Sequence, residues 1–454
     1  MATNSCDVVV VGLGPGGESA ATRLSEGGMS VVGIDERLVG GECPYFGCIP
    51  SKMMIRAANV LAEGARIPKL AGAAQVAADW TPVATRIRDE ATDDWNDQVA
   101  VDRLVKAGVR FVRGHGRLSA PGRVSVGEDE YEASVGVLLN TGTAPAAPPI
   151  EGLAETPYWT NRDVLRIEEL PASVIVIGGG AIGAEIAQAL SRFDVRVTLL
   201  EVADRILPPE EPEASALVAR VLVGEGIQVL TGVHIASVQY ADGQFTVELD
   251  DAQLSAEKLL VAAGRRPNLA DIGLDTVGLD PAARLLEVDE RMRAGEKLWA
   301  IGDITGKGAF THVSVYQSEV AVADILGHDG PTADYRAVSR VTFTDPEVGS
   351  VGMSEQQARE TGVDVLTGCA DGSTSSRGWI HKAGNDGLVK LVADAHRGVL
   401  VGATSVGPMG GEVLSMLTLA VHAEVPLEVL RRMHYAYPTF HRGMLDALAD
   451  LSAG

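Results

Sequence analysis

The chain has 454 residues, of which 22% are charged and 46% hydrophobic, a balance typical of globular rather than disordered proteins. Its net charge of −23 and the lack of a Lys/Arg-rich run argue against nucleic-acid binding. This length predicts about three domains. No uncharged apolar run reaches about 18 residues, so no membrane span is expected. No basic or apolar leader precedes Asp7, which favours a cytoplasmic protein.

The amino-terminal segment has the pattern of a dinucleotide-binding βαβ unit. The apolar run 8–11 predicts a buried strand. Three glycines in the spacing G-x-G-x-x-G follow it, namely Gly12, Gly14 and Gly17. They permit a tight turn, close approach to a pyrophosphate and close helix–strand packing, and the helix N-terminus offers N–H groups to phosphate. A second strand at 31–34 ends in Asp35, the expected ribose-binding acid, and Glu36 could share or take that role.

Two cysteines five residues apart, Cys43 and Cys48, follow this unit. A dithiol on a nucleotide-binding domain indicates electron transfer from a bound cofactor through a Cys43–Cys48 disulfide. In a regular helix such residues have Cα atoms about 8.7 Å apart, whereas a disulfide needs less than about 7 Å. We therefore predict a distorted first turn and a helix that begins near Pro50. Inert core thiols or half of a zinc site are the alternatives. A structural zinc site needs four ligands, and Cys6 and Cys369 are distant in sequence, so we expect no metal.

The glycine pattern recurs after a second apolar run at 174–177. The glycines of this second fingerprint are Gly178, Gly180 and Gly183. Asp35 and Glu201 both lie eighteen residues after the last glycine of their fingerprint, from 17 to 35 and from 183 to 201. The chain should therefore bind two dinucleotides. Because an acid favours a free ribose 2′-hydroxyl and repels a 2′-phosphate, we expect NADH to be preferred over NADPH, although Arg205 lies nearby.

These motifs resemble the pyridine nucleotide–disulfide oxidoreductases, a family with dihydrolipoamide dehydrogenase, glutathione and mycothione reductases and mercuric reductase. The resemblance spans nearly the whole chain. It rests on the redox-active motif at 43–52, the two domain crossings at 139–142 and 263–268, the second flavin motif at 299–303 and the first dimerisation strand at 343–352. The implied fold class is α/β, with two Rossmann-like dinucleotide-binding domains and a C-terminal α+β dimerisation domain. The implied boundaries are 1–148 and 267–333 for the FAD-binding domain, 149–266 for the NAD(P)H-binding domain and 334–454 for the interface domain.

By this resemblance the first dinucleotide is FAD and the second is NAD(H), with NADP(H) less favoured. Cys48 would be the thiol next to the flavin, and Cys43 the exchange thiol that meets substrate. Lys52 resembles a lysine beside the flavin N5, and Glu185 resembles its ion-pair partner; the alternative is that both are ordinary polar helix residues. The other residues implied to contact a cofactor are Gly41, Thr141, Gly142, Gly264, Arg265, Gly302 and Asp303, of which the last would hold the ribitol.

The C-terminus departs from the family pattern. Family members carry His-Pro-Thr-x-x-Glu, in which the histidine exchanges protons with the thiols and the glutamate orients it. Here Tyr437 occupies the histidine position, Arg442 occupies the glutamate position, and His441 is displaced by four residues. A tyrosine hydroxyl is a poor base at neutral pH, and arginine has no acceptor for an imidazole N–H. Mercuric reductases also carry a tyrosine here, but their C-terminal cysteine pair has no counterpart in 451–454.

Tyr437 and His441 are therefore candidates for an altered acid–base pair or a polar substrate pocket. In a homodimer of the family type they would approach Cys43 of the other chain; interface packing is the alternative. We predict an oxidoreductase that passes electrons from NAD(P)H through FAD and the Cys43–Cys48 disulfide to a small disulfide, thiol or other soft electrophile. The alternatives are a quinone or diffusible-acceptor reductase that uses flavin directly, and a non-enzymatic redox sensor or assembly subunit.

Overall fold

The computed structural model describes residues 3–330 and 332–453. Met1, Ala2 and Gly454, on which the predictions about the chain ends partly depend, lie outside the described residues, as does Pro331. The strands in chain order are β1 (Thr3–Val11), β2 (Val31–Asp35), β3 (Arg110–Arg113), β4 (Arg117–Ala120), β5 (Arg123–Val126), β6 (Asp129–Leu139), β7 (Thr143–Pro145), β8 (Ser173–Ile177), β9 (Arg196–Leu200), β10 (Gln228–Leu230), β11 (Ile235–Ala241), β12 (Gln244–Leu249), β13 (Gln253–Ala256), β14 (Lys258–Val261), β15 (Arg265–Pro267), β16 (Arg293–Gly295), β17 (Leu298–Ala300), β18 (Ser339–Thr342), β19 (Glu347–Gly352), β20 (Val365–Asp371), β21 (Leu388–Asp394), β22 (Val399–Gly407) and β23 (Ser452–Ala453).

The α-helices are α1 (Pro15–Glu26), α2 (Glu42–Phe46), α3 (Cys48–Arg66), α4 (Thr81–Thr85), α5 (Gln98–Lys106), α6 (Asn161–Val164), α7 (Ala181–Ser191), α8 (Pro212–Gly224), α9 (Thr311–Ile325), α10 (Glu355–Glu360), α11 (Ser376–His381), α12 (Gly410–His422), α13 (Leu427–Arg432) and α14 (Gly443–Asp450). A π-helical stretch covers Arg86–Ala91, and short 3₁₀ turns include Gly302–Thr305 and Phe440–Arg442. No helix in the described part of the chain combines the length and apolarity that a bilayer crossing demands.

One compact unit comprises residues 1–50, 85–145 and 265–334. Its main sheet has the strand order β16-β17-β6-β1-β2-β3, and β4 and β5 extend from β6. β1 is parallel to both β2 and β6. The run Val8–Val11 is almost fully buried, as expected for a parallel strand covered on both faces. Because β1 and β2 are parallel, their carboxyl ends place the first fingerprint and Asp35 at one edge of the sheet.

The second compact unit comprises residues 51–84, 146–264 and 335–454. It contains a parallel sheet in the order β10-β9-β8-β14, an antiparallel β11-β12-β13 sheet, and a six-stranded antiparallel sheet in the order β18-β19-β22-β21-β20-β23. The last sheet is covered by α12 and α14, whose buried residues include Leu417 and Met444. The parallel sheet carries the second fingerprint after β8, in the same relation as the first fingerprint after β1.

The two predicted domain crossings form one structure. β7 and β15 pair as an antiparallel ribbon, with Arg265 opposite Pro145. Immediately beyond the ribbon, the N–H of Ala146 donates to the carbonyl oxygen of Gly264 at 3.1 Å. The segment between the crossings therefore starts and ends at neighbouring points. The exact domain boundaries given above stay predictions.

Candidate active site

The two fingerprint turns have the same local geometry. Gly12 has a φ of +89° and Gly178 a φ of +109°, a region that only glycine adopts at low cost. A Cβ on Gly12 would lie 2.4 Å from the carbonyl oxygen of Asn140, and one on Gly178 would lie 2.5 Å from that of Ala262. Both positions thus need glycine because the end of a neighbouring strand passes against the turn.

The acids at the ends of β2 and β9 bind their own fingerprint turns. Asp35 Oδ2 accepts a hydrogen bond from the N–H of Leu13 at 2.7 Å. Glu201 Oε2 accepts one from the N–H of Gly179, also at 2.7 Å. The other oxygen of each acid accepts from the N–H two residues later, at 2.7 and 2.8 Å. Burial raises the pKa of the Asp35 carboxyl, and the backbone bonds oppose this. Each oxygen keeps lone-pair capacity for a ribose hydroxyl.

Two neighbours of these acids point elsewhere. Glu36 lies at the surface, with its Oε2 3.2 Å from His115 Nδ1. Arg205 donates from Nη2 to the carbonyl oxygen of Pro208 at 3.0 Å, and its Nη1 lies 3.4 Å from Asp204. Both terminal nitrogens of the Arg205 guanidinium are therefore engaged within its own turn, whereas its buried Nε has no hydrogen-bond partner among the described residues.

The residues of the first domain crossing fit a bound FAD. Within the described residues, the hydroxyl of Thr141 is buried without a hydrogen-bond partner, so it is available to a ligand. Gly142 follows with a φ of +62°, and a Cβ on it would meet no protein atom within 4 Å. Thr143 donates to Asp303 Oδ2 at 2.6 Å and accepts from Arg265 Nε at 2.7 Å. These contacts join the crossing, the ribbon and the predicted ribitol-binding acid.

The redox segment, which we define as residues 42–48, is broken in the middle. Cys43 lies in the short helix α2, and α3 begins at Cys48. Gly47 between them has a φ of −138° and a ψ of −117°, far from helical values. The predicted distortion is confirmed. The helix begins at Cys48 rather than near Pro50, because the break falls at Gly47 and leaves the proline in the first turn, where its missing N–H is not needed.

The structure holds both cysteines as thiols in hydrogen-bonding contact with each other. Cys48 Sγ lies 3.6 Å from Thr311 Oγ1. The hydrogen bond to Cys48 raises the pKa of the Cys43 thiol, and burial raises it further. Cys43 therefore holds its proton tightly, which favours Cys48 as the first thiolate of the reduced pair. Thr311 starts the 15-residue helix α9, whose N-terminus favours a nearby negative charge. We did not identify Thr311 from the sequence, although the glycine-rich loop before it marks a helix start.

The predicted ion pair of Lys52 and Glu185 is present. Lys52 Nζ lies 2.9 Å from Glu185 Oε2. Glu185 is buried, and its other oxygen accepts the N–H of Phe343 at 2.8 Å. The Lys52 ammonium also lies 4.5 Å from the centroid of the Phe343 ring. Phe343 therefore holds both partners, a role that the sequence pattern did not indicate.

A network of arginines and carboxylates joins the two helices that carry Lys52 and Glu185. The Asp345 carboxylate oxygen Oδ2 lies 2.7 Å from Arg66 Nη2 and 2.8 Å from Arg192 Nη2. Arg192 also binds Glu225 at 2.6 Å. The network joins the last residue of α3, the residue after α7 and the loop that follows β18. It anchors the helix of Lys52 to the helix of Glu185.

The C-terminal segment, which we define as residues 437–442, is open. Tyr437 is 69% exposed, and the guanidinium carbon of Arg442 lies 5.6 Å from its ring centroid. His441 Nε2 lies 3.3 Å from Thr439 Oγ1, and its ring packs near Tyr435. In the described structure no hydrogen bond joins Tyr437 to His441. The two candidates thus share a segment but are not hydrogen-bonded to each other in the described part of one chain.

Comparisons with known proteins cover nearly the whole chain. The sequence model of the family described as pyridine nucleotide-disulphide oxidoreductase matches residues 6–318, and that of its dimerisation domain matches residues 338–448. The chain is 32% identical to a dihydrolipoyl dehydrogenase from Halobacterium salinarum, over 97% of this chain and 95% of that protein. It is 29% identical to a mercuric reductase from Staphylococcus aureus, over 96% and 81%.

Among solved structures, the chain is similar to the HOCl-induced flavoprotein disulfide reductase RclA from Escherichia coli. The TM-score is 0.84 at 26% identity, with 98% of this chain and 99% of that chain covered. It is also similar to LpdA from Mycobacterium tuberculosis, with a TM-score of 0.85 at 25% identity and the same coverage.

Proposed function

Because this chain belongs to the pyridine nucleotide-disulphide oxidoreductase family, we propose that it carries electrons from NADH to a small disulfide or other soft electrophile through Cys43 and Cys48. The predicted fold class, the enzyme class and the cofactors are confirmed: the chain is a flavin-dependent NAD(P)H disulfide oxidoreductase that binds FAD. Its dimerisation domain supports the predicted homodimer. The roles of individual residues below are our proposal.

The single observation that carries the proposal is the contact between the two thiols beside Thr311. Bound FAD would supply two-electron transfer between the nicotinamide and this dithiol. In the outward step, the Cys48 thiolate accepts the proton of Cys43 along their hydrogen bond, and the Cys43 thiolate attacks one sulfur of the substrate disulfide. The substrate S–S bond breaks, and the first product leaves as a thiolate that takes a proton from water. Cys48 then attacks the Cys43 sulfur, the mixed disulfide breaks, the Cys48 proton goes to the second product thiol, and the Cys43–Cys48 disulfide has formed.

Lys52 and Glu185 are assigned to the flavin by family resemblance. Asp303 and Arg265 are assigned to the flavin side of the crossing, where the unpartnered Thr141 hydroxyl supports a ligand. The complete proposed FAD set is Gly12, Gly14, Gly17, Asp35, Gly41, Lys52, Thr141, Gly142, Arg265, Gly302 and Asp303, with Glu36 as the alternative ribose acid. The proposed NAD(H) set is Gly178, Gly180, Gly183, Glu201 and Gly264.

We propose NADH as the preferred nucleotide. Glu201 is held against the second fingerprint by two backbone N–H groups, and Arg205, the nearby cation, is engaged by Asp204 and Pro208. A 2′-phosphate would therefore meet a fixed carboxylate. Stopped-flow reduction should be about tenfold or more faster with NADH, a preference that Glu201→Ser lowers and Arg205→Ala leaves unchanged. Equal or reversed preference in the wild type would refute this assignment.

We further propose that Tyr437 and His441 of one chain meet Cys43 of the other in the homodimer, and that the protein is cytoplasmic. The exposure of Tyr437 supports the first point, since the side chain is open to a second molecule. A catalytic disulfide together with few other cysteines suits a reducing compartment.

The test is NADH oxidation with an activated disulfide and with a quinone, in wild type and in Cys43→Ser. We expect the variant to lose disulfide reduction and to keep quinone reduction, because a quinone can take electrons without the exchange thiol. Disulfide turnover unaffected by Cys43→Ser would overturn the proposal. A quinone reductase is the second candidate, favoured by the absence of the usual His–Glu pair at 437 and 442; a quinone rate that exceeds the wild-type disulfide rate many-fold would support it.

A further inference from the structure

A basic surface stands out on this acidic protein. The chain has 61 Asp and Glu residues against 38 Lys and Arg. Two stretches, 374–385 and 429–443, nevertheless contain no acid. Their cationic and titratable residues are Arg377, His381, Lys382, Arg431, Arg432, His434, His441 and Arg442.

Aromatic contacts bring the two stretches together. The Phe440 ring lies 5.6 Å from the His381 ring and 5.5 Å from the Arg377 guanidinium carbon, so α11 packs on the 3₁₀ turn at the C-terminal segment. Arg442 lies over Tyr437 on that segment. We call Arg377, Lys382, Tyr437 and Arg442 the basic surface; Lys382, Tyr437 and Arg442 are exposed and Arg377 is half-buried.

Among the described residues, the cations of the basic surface have no carboxylate partners. Within residues 3–330 and 332–453, none of Arg377, Lys382 and Arg442 forms an ion pair. Many arginines elsewhere do, as in the pairs Arg113–Asp97, Arg293–Asp324 and Arg340–Glu210. Two of the unpaired guanidinium groups instead lie over aromatic rings. A guanidinium stacked in this way keeps its edge N–H groups available for bidentate bonds to a carboxylate or phosphate.

We infer that the basic surface binds the electron acceptor, and that this acceptor is a small anion carrying carboxylate or phosphate groups beside its reducible bond. The inference rests on the proposed function, which brings Tyr437 and His441 to the exchange thiol of the second chain. It adds the charge class of the substrate. The guanidinium groups would bind the anionic groups, and the exposed Tyr437 ring would pack on the apolar part of the acceptor.

The test compares two activated aromatic disulfides that differ in charge. Dithiobis(nitrobenzoate) carries two carboxylates, and dithiodipyridine is neutral. We expect the double variant Arg377→Gln, Arg442→Gln to raise KM for the dianion about tenfold and to change KM for the neutral disulfide less than about twofold. Added salt should weaken the preference of the wild type for the dianion and leave the double variant unchanged.

The matched control is Arg284→Gln, which removes an exposed arginine that also has no ion-pair partner in the described structure. It should leave both KM values unchanged. Benzoate and phenyl phosphate, tested as competitive inhibitors of the wild type, separate the two anion classes. If neither compound inhibits the wild type, the inference is wrong.

Two other outcomes overturn it. If the double variant dissociates to monomers in light scattering and loses both activities equally, the basic surface binds a second copy of the chain. If both KM values stay at wild-type level, the surface does not select the acceptor. Failure of the proposed function is seen separately, as disulfide reduction that does not depend on Cys43. In that case naphthoquinone and its sulfonate, compared in the same variants, still test the charge preference.

Discussion

The redox segment and the C-terminal segment differ in how completely their side chains are partnered. Cys43 and Cys48 contact each other, and Cys48 lies against the hydroxyl that starts α9. Tyr437 is 69% exposed, and Arg442 forms no ion pair with any described residue. The first segment is assembled within one chain, whereas the second presents an exposed tyrosine and an arginine without an ion-pair partner among the described residues, both open to another molecule. The redox segment therefore carries the groups proposed to react, and the C-terminal segment carries groups that could select the substrate.

The largest expected effect is a loss of turnover on substitution of the cysteines in the redox segment. Cys43→Ser and Cys48→Ser should each lower disulfide turnover about 10³-fold or more, because each removes one sulfur of the exchange. Two-electron reduction of the wild type should give a long-wavelength absorbance band that Cys48→Ser abolishes and that Cys43→Ser shows without reductant. NADH oxidation and visible spectra are the measurements. If both variants keep wild-type spectra, the pair is structural.

The next effect is on the free energy of unfolding, and it contrasts Lys52, in the helix that follows the redox segment, with Arg442 in the C-terminal segment. Lys52→Met leaves the buried Glu185 carboxylate without its counter-charge, so the free energy of unfolding should fall by about 2 kcal/mol, allowing for the part-exposed lysine. Arg442→Ala, the matched change in the open segment, should alter it by less than about 0.5 kcal/mol. Urea unfolding of the FAD-loaded dimers measures both. Equal losses in the two variants would show that the C-terminal segment is not as open as we describe.

A smaller effect is expected from restoring the family pattern in the open segment. Wild-type turnover with lipoamide should be weak, because no histidine stands at 437 and no glutamate at 442. Tyr437→His with Arg442→Glu should raise kcat/KM for lipoamide about tenfold, the lower part of the range for general acid–base groups. Each single substitution serves as a control and should give less. If the wild type turned over lipoamide at the rate of a dedicated lipoamide enzyme, the substitutions at 437 and 442 would not have changed the substrate.

The smallest effect concerns the thiol pair itself. Since the hydrogen bond to Cys48 is the main cause of the raised pKa of Cys43, Cys48→Ala should lower that pKa. The thiolate is the reactive form, and a less basic thiolate is also less nucleophilic, so alkylation of Cys43 by iodoacetamide at pH 8 should accelerate about threefold for each unit of the change.

The alkylation is measured by mass spectrometry in a Cys369→Ser background, which removes the other exposed thiol outside the pair. Cys6 is buried, its pKa is raised to about 11, and it serves as the unreactive internal control. An unchanged rate at Cys43 would mean that the contact with Cys48 does not control its proton.

Much of the fold could be predicted from the sequence because its signals are local. Apolar runs followed by glycines at fixed spacing predicted the strands that carry the two fingerprints, and the end of β2 coincides with Asp35. The Lys52–Glu185 pair was predicted from family resemblance. Thr311 and Phe343 were missed, because each acts through a contact between segments about 263 and 291 residues apart, and no local pattern announces such a contact. The absence of a Tyr437–His441 bond was equally hidden, since side-chain direction in an irregular turn follows from packing.

The β7–β15 ribbon has a consequence for how such a gene could be rearranged. Residues 146–264 enter and leave through adjacent antiparallel strands, and the first and last residues share a 3.1 Å hydrogen bond. This segment, which carries the second glycine fingerprint, thus has touching ends, and few residues would be needed to rejoin the chain after its excision. A shortened polypeptide in which a tight turn joins Pro145 to Arg265 would keep every strand of the eight-stranded sheet. The ribbon makes this segment exchangeable, because recombination could replace it without interrupting any strand of the eight-stranded sheet.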